Sequence, residues 1–134
     1  IRKMAVSKKV SEVAALSAVR KKMVEQQQRM GAAKGVVLDG RDIGTVVFPE
    51  AELKIFLTAS VAERARRRFK ELQQKQEKIT YSEVLENLRH RDHIDSTRAD
   101  SPLRKADDAI VLDNTNITPT QQVHQVLEMI KEIT

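Results

Sequence analysis

The chemistry open to this 134-residue chain rests on charged side chains in three short stretches. In the first, Arg41 and Asp42 follow the apolar run Val36-Val-Leu38 and stand between Gly40 and Gly44. Such a run reads as a strand over about residues 35–39, buried on both faces. The glycines let the backbone turn sharply and approach a ligand. A charged pair at the carboxyl end of a parallel strand lies where open α/β sheets bind ligands. The planar fork of Arg41 suits a phosphate. A plain polar turn after a core strand accounts for the same spacing.

The second stretch begins as a helix at Tyr81. Its apolar positions Val84 and Leu88 continue at helical spacing into Arg91, Asp95 and Arg98, so a stripe that starts as core ends as charge. Inward charges are costly unless paired. They can pair with one another as a structural Arg-Asp-Arg network, or close around a polyanion carrying hydroxyls. The third stretch is an arginine cluster, Arg64 and Arg66 to Arg68, at the start of another helix. Ser11 and Arg20 lie on opposite faces of any single straight helix. They reach one site only if the segment from about 8 to 30 breaks, with Ser17 as N-cap of the second half. Taken alone, Arg20 reads as a solvated helix residue.

These groups need a scaffold, and the pattern supplies an alternating one. A strand over Leu53–Thr58 follows the turn containing Pro49. Ser60 and Glu63, Thr80 and Glu83, and Thr118 and Gln121 are spaced as capping boxes, the last with Pro119 at the first helical position. A further short strand covers Ala109–Leu112. Strands alternating with helices predict an α/β fold with a parallel sheet flanked by helices.

Composition limits the function. Hydrophobic residues make up 40% and charged residues 32%, and no apolar run approaches a membrane span. There is no cysteine, and His90, His93 and His124 lack metal-ligand spacing, so no protein-held metal is expected. The formal net charge of +5 calls for an anionic partner. With 3% aromatic residues and no nucleic-acid-binding signature, a small phosphorylated ligand fits better than nucleic acid.

Several motifs stand in one order: Gly40-Arg-Asp-Ile-Gly-Thr-Val-Val-Phe-Pro49, Leu53-Lys-Ile-Phe-Leu-Thr-Ala-Ser60, Arg64-Ala-Arg-Arg-Arg68, Arg91-Asp-His-Ile-Asp-Ser-Thr-Arg98, Ser101-Pro-Leu103 and Ala106-Asp-Asp-Ala-Ile-Val-Leu-Asp113. Together with Val6–Ala15 and Val19-Arg20 upstream, they resemble the central part of bacterial cytidylate kinase over nearly the whole chain. The resemblance implies transfer of the terminal phosphoryl group of ATP to CMP or dCMP, on a P-loop nucleoside monophosphate kinase fold. It implies that Arg20, Asp42 and Arg98 recognise cytosine, and that Ser11, Arg91 and Asp95 hold the pentose. Arg41 would bind the CMP phosphate, with Arg41 and Arg91 facing the transferred group, and Arg64, Arg67 and Arg68 would stand at the lid near ATP. Mg2+ would arrive with ATP. The implied partners are nucleotides alone, with no nucleic acid or membrane, in a cytoplasmic monomer.

One motif is missing: residues 1–134 contain no G-x-x-x-x-G-K-[ST]. The expectation is therefore a partial fold that lacks the N-terminal strand and P-loop. It would comprise a CMP-contacting helical segment (1–34), core strands (35–60), a lid region (61–100), and a strand with the C-terminal helix (101–134). A non-catalytic nucleotide-binding fragment or a basic nucleic-acid-binding module are the alternatives.

Overall fold

The computed structural model describes residues 4–133. Helices α1 (Met4–Ala14) and α2 (Ser17–Gly31) lead into a π-helical turn over Ile43–Val47. Strand β1 (Ile55–Thr58), helices α3 (Val61–Gln74) and α4 (Tyr81–Thr97), strand β2 (Ile110–Asp113) and helix α5 (Pro119–Lys131) follow. The two strands pair in parallel, Ile55 opposite Ile110 through Thr58 opposite Asp113, and α3 and α4 form the crossover between them. The α/β arrangement with a parallel sheet flanked by helices is the one expected.

Caps set the helix starts. Thr80 and Glu83 on α4, and Thr118 and Gln121 on α5, form complete capping boxes, with Pro119 at the first turn of α5. On α3 the box is half made. Ser60 accepts from the Glu63 amide, but the Glu63 carboxylate is held by Arg66 and Arg67. Between α3 and α4, Ala65, Leu72 and Val84 are fully buried, with Phe69, Ile79, Leu85 and Leu88 packed around them. The Phe69 and Tyr81 rings meet edge to face at 6.1 Å.

Three local expectations need correction. Residues 35–39 form no strand: the described sheet holds β1 and β2 alone, and without a hydrogen-bonded neighbour Val37 is 98% exposed. The chain does break between α1 and α2, but Leu16 is the N-cap and has no side-chain hydrogen bond. The Ser17 hydroxyl bonds instead to Asp100 across the molecule. Gly40 and Gly44 do not take left-handed φ, as Gly35 does at 65°. A Cβ on Gly44 would stand 3.3 Å from the Lys54 side chain, so close packing is what favours glycine there. Gly31 is more constrained still, since a Cβ there would lie 2.3 Å from the Phe48 ring.

Candidate active site

Asp42 is the N-terminal flank of the π-helical turn. Its carbonyl accepts from the amides of Val46 and Val47, and the carbonyl of Ile43 accepts from Phe48. The wide turn anchors the backbone immediately after the Asp42 side chain, which is 2% exposed. The Arg20 Nε lies 3.5 Å from Asp42 Oδ2, and the Arg98 Nη2 lies 3.9 Å from Asp42 Oδ1. Arg98 Nη1 is 3.7 Å from Asp95 Oδ1, and Arg41 Nε donates to Asp95 Oδ2 at 3.0 Å. The result is an alternating chain, Arg20–Asp42–Arg98–Asp95–Arg41, drawn from α2, the segment around the π turn, and α4.

Burial sharpens the electrostatics. Asp42, Asp95, Arg20 and Arg98 are all nearly inaccessible, whereas the Arg41 side chain is 41% exposed. Burial lowers the affinity of the Arg98 guanidinium for its proton, and the charges of Asp42 and Asp95 oppose that shift. Arg91, one turn before Asp95, is lowered by burial first and by the neighbouring Arg41 second, with Asp95 again opposing. Both remain cations at neutral pH. Arg20 Nε and Asp42 Oδ2 face each other as buried atoms without a hydrogen bond, an arrangement that is costly unless a further partner joins it.

The structure thus gathers Arg20, Arg41, Asp42, Asp95 and Arg98 into one cluster, with Arg91 beside it. Arg20 is not the solvated residue its helix position suggests. Its Nη2 also donates to Gln27 Oε1 at 3.3 Å, one helical stripe onward. Arg98 is further held by the carbonyl of Ser101, which accepts from Nε at 2.8 Å. Ser11 is buried on α1, the helix that packs on α4. The arginines of α3 part company. Arg64 reaches Asp92 on α4, Arg67 bonds Glu63 and Asn114 beyond β2, and Arg68 pairs with Glu71.

Sequence reasoning passed over a second concavity. Between α3 and the loop entering α5 lies a cavity of about 600 Å³ whose lining includes Arg66, Arg67, Lys70, Thr115 and Asn116. The turn signal Asp113-Asn-Thr115 marked the loop, but nothing in the sequence placed it opposite α3. Among the described residues no three His, Cys, Asp or Glu side chains converge as a metal site. No described helix is long and apolar enough to cross a membrane.

Parallel strands joined through a helical pair, with this arginine–aspartate cluster where α2 and the π-turn segment meet the crossover helix α4, make an α/β chain of nucleoside monophosphate kinase type. The family model for cytidylate kinase matches residues 1–132, and the chain belongs to that family. It is 60% identical over 122 residues to a cytidylate kinase of Bacteroides fragilis, covering 91% of this chain and 53% of that protein. Identity to the cytidylate kinase of Flavobacterium psychrophilum is 56% over 133 residues, covering 99% of this chain and 59% of that protein. That to the Porphyromonas gingivalis enzyme is 56% over 135 residues, covering 100% and 58%. The chain therefore spans little more than half the length of these curated relatives.

Proposed function

We propose that residues 1–134 supply the acceptor site and lid of an enzyme that phosphorylates CMP and dCMP with ATP. The observation that carries this reading is the buried Arg20–Asp42–Arg98 group, in which a carboxylate oxygen and a guanidinium nitrogen lack hydrogen bonds. Asp42 would accept from the cytosine amine while Arg20 and Arg98 donate to the ring carbonyl and nitrogen. Uracil presents a carbonyl where cytosine presents the amine, which would set two acceptors face to face and leave buried groups unpaired. Asp95, with Ser11 and Arg91, would bind the pentose hydroxyls. In this reading 1–34 contacts CMP, 35–60 and 101–134 contribute the strands of the sheet, and 61–100, which holds the Ala65–Leu72–Val84 cluster, is the lid region.

Arg41 is held at Nε by Asp95 while its side chain is partly exposed, which leaves the outer edge of the fork for the CMP phosphate. Transfer would form a bond from a CMP phosphate oxygen to the terminal phosphorus of ATP and break the bond to ADP. The acceptor is already an anion, so no general base is needed. Arg41 and Arg91 would align the acceptor and neutralise the charge that builds up. Arg67 lines the cavity between α3 and the loop entering α5, which supports a reading with ATP on that side, and Arg64 and Arg68 lie on the same helix. Among the described residues no carboxylates converge as a metal site, and Mg2+ is assigned to the ATP phosphates. A cytoplasmic, monomeric enzyme acting on small nucleotides completes the proposal.

The test titrates CMP, dCMP and UMP into the chain by calorimetry and repeats the titration across a salt series. CMP should bind at least roughly tenfold tighter than UMP, with a shallow salt slope. A nucleic-acid-binding module would show a steep slope set by many phosphates. Because residues 1–134 lack the phosphate-cradling loop, ATP and Mg2+ should give no CMP turnover with this chain alone. Equal affinity for UMP and CMP would refute the assignment of Asp42.

A further inference from the structure

The resemblance sets Arg64 beside ATP, but its hydrogen bonds point elsewhere. All three of its guanidinium nitrogens donate within the chain. Nε gives to the carbonyl of Ala59 at 3.1 Å, Nη1 to Asp92 Oδ1 at 3.0 Å, and Nη2 to Asp92 Oδ2 at 2.7 Å. The last two make a fork-to-fork pair, the most directional ion pair a protein can build. Ala59 directly follows the carboxyl end of β1, and Asp92 sits on α4 between Arg91 and Asp95. One side chain therefore ties the end of the sheet to the turn of α4 that carries the charged stripe. Toward the start of α4 the α3–α4 contact is apolar packing around Ala65, Leu72 and Val84, with one long hydrogen bond from the Tyr81 hydroxyl to the Ala62 carbonyl at 3.4 Å. Apolar packing is non-directional and fixes neither the rotation nor the axial position of the distal turn as sharply as a bidentate pair does.

We infer that Arg64 is a positioning residue that, through Asp92, sets the register of Arg91, Asp95 and Arg98 against the end of the sheet. It acts on the acceptor side and does not bind ATP. This rests on the proposed CMP kinase reading. Lysine cannot replace it, because one ammonium cannot make two parallel bonds to Asp92 and also reach Ala59.

The test compares Arg64→Ala, Arg64→Lys, Asp92→Asn and the double variant Arg64→Ala/Asp92→Asn. Kinetics use an enzyme in which residues 1–134 are joined to the remainder of a curated relative. Each alanine or asparagine variant should lower kcat/KM for CMP by roughly 10- to 100-fold, the scale of a small misalignment. The double variant should be no worse than the more severe single variant within about threefold, because both break one clamp. KM for ATP should stay within about twofold, and Arg64→Lys should restore turnover only in part. A rise of about tenfold in KM for ATP in Arg64→Ala alone would make Arg64 an ATP ligand and overturn the inference, as would additive losses or unchanged kinetics. If the parent enzyme fails to phosphorylate CMP, the proposed function fails. The clamp is then judged by amide exchange on the 134-residue chain. Faster exchange over residues 91–97 in both variants supports it, and unchanged exchange overturns it.

Discussion

Replacing Asp42 by Ala and by Asn separates its two proposed duties, counter-ion and acceptor for the base. Asp42 is 2% exposed and faces Arg20 at 3.5 Å and Arg98 at 3.9 Å. Removing one partner of a buried ion pair costs about 3–5 kcal/mol. The lower end applies here, because neither contact is a hydrogen bond and Arg98 keeps Asp95 and the Ser101 carbonyl. With an unfolding entropy near 2.1 cal/mol/K per residue, a loss of about 3 kcal/mol lowers the melting temperature by roughly 10 °C in a chain of this size. Both variants lose the charge and should show that drop. They should differ in binding. Alanine removes the acceptor and should weaken CMP by about 2–4 kcal/mol, while asparagine keeps a carbonyl oxygen and should recover part of it. Differential scanning calorimetry and CMP titration on the same preparations provide both readings. If Asp42→Ala bound CMP within about threefold of the parent, Asp42 would be a scaffold residue and the cytosine assignment would fall.

Two further outcomes follow from the same geometry. Asp95→Ala strips Arg41 of a 3.0 Å hydrogen bond and Arg98 of a counter-ion in a site where Asp95 is 4% exposed. It should lower the melting temperature by about 10 °C and also weaken CMP binding, and a melt unchanged within about 2 °C would show that the arginines are neutralised without it. Glu63, bridged by Arg66 and Arg67, has its carboxyl pulled down to about 2 from 4.5. A depressed carboxyl contributes stability above its unfolded value that is lost as pH falls through the folded one. Acid should therefore loosen the start of α3 between about pH 4.5 and 2, and a carbon-detected titration of Glu63 with a midpoint above about 4 would contradict the bridge.

What the sequence made legible follows from the range of the forces involved. The capping boxes at Thr80 and Thr118 act within three residues, so their spacing suffices to locate α4 and α5. The charged stripe of α4 was visible as an anomaly of helical period. Its neutralisation was not, since Arg41 and Asp42 lie more than fifty residues upstream of Asp95. Arg20 shows the same limit: a single arginine on a polar helix looks solvated until Asp42 is brought against it. The segment Val36-Val-Leu38 failed in the opposite sense. Its composition favours a strand, but a strand is a property of a pair, and no described strand lies beside it. The π turn at Ile43–Val47 was hidden because its carbonyl-to-amide spacing of five has no composition of its own.

The looseness of the central ion pairs has a physical consequence for the proposed site. Coulomb attraction falls only as the inverse of distance, so charges 3.9 Å apart keep roughly 70% of the attraction they would have at 2.8 Å in the same medium. A hydrogen bond is directional and is already lost at that separation. Arg20, Asp42 and Arg98 therefore neutralise one another across 3.5 to 3.9 Å, while Arg20 Nε and Asp42 Oδ2 keep their hydrogen-bonding capacity unused. A flat, polar ring with alternating donors and acceptors can take up that capacity while the charges stay compensated. Tight hydrogen-bonded pairs would have to be broken before such a ring could bind, and unpaired arginines would repel one another in its absence. Arg41 marks the contrast. It is hydrogen-bonded to Asp95 through Nε at the end of the cluster, and its partly exposed side chain meets the proposed requirement for an accessible cation at the phosphate.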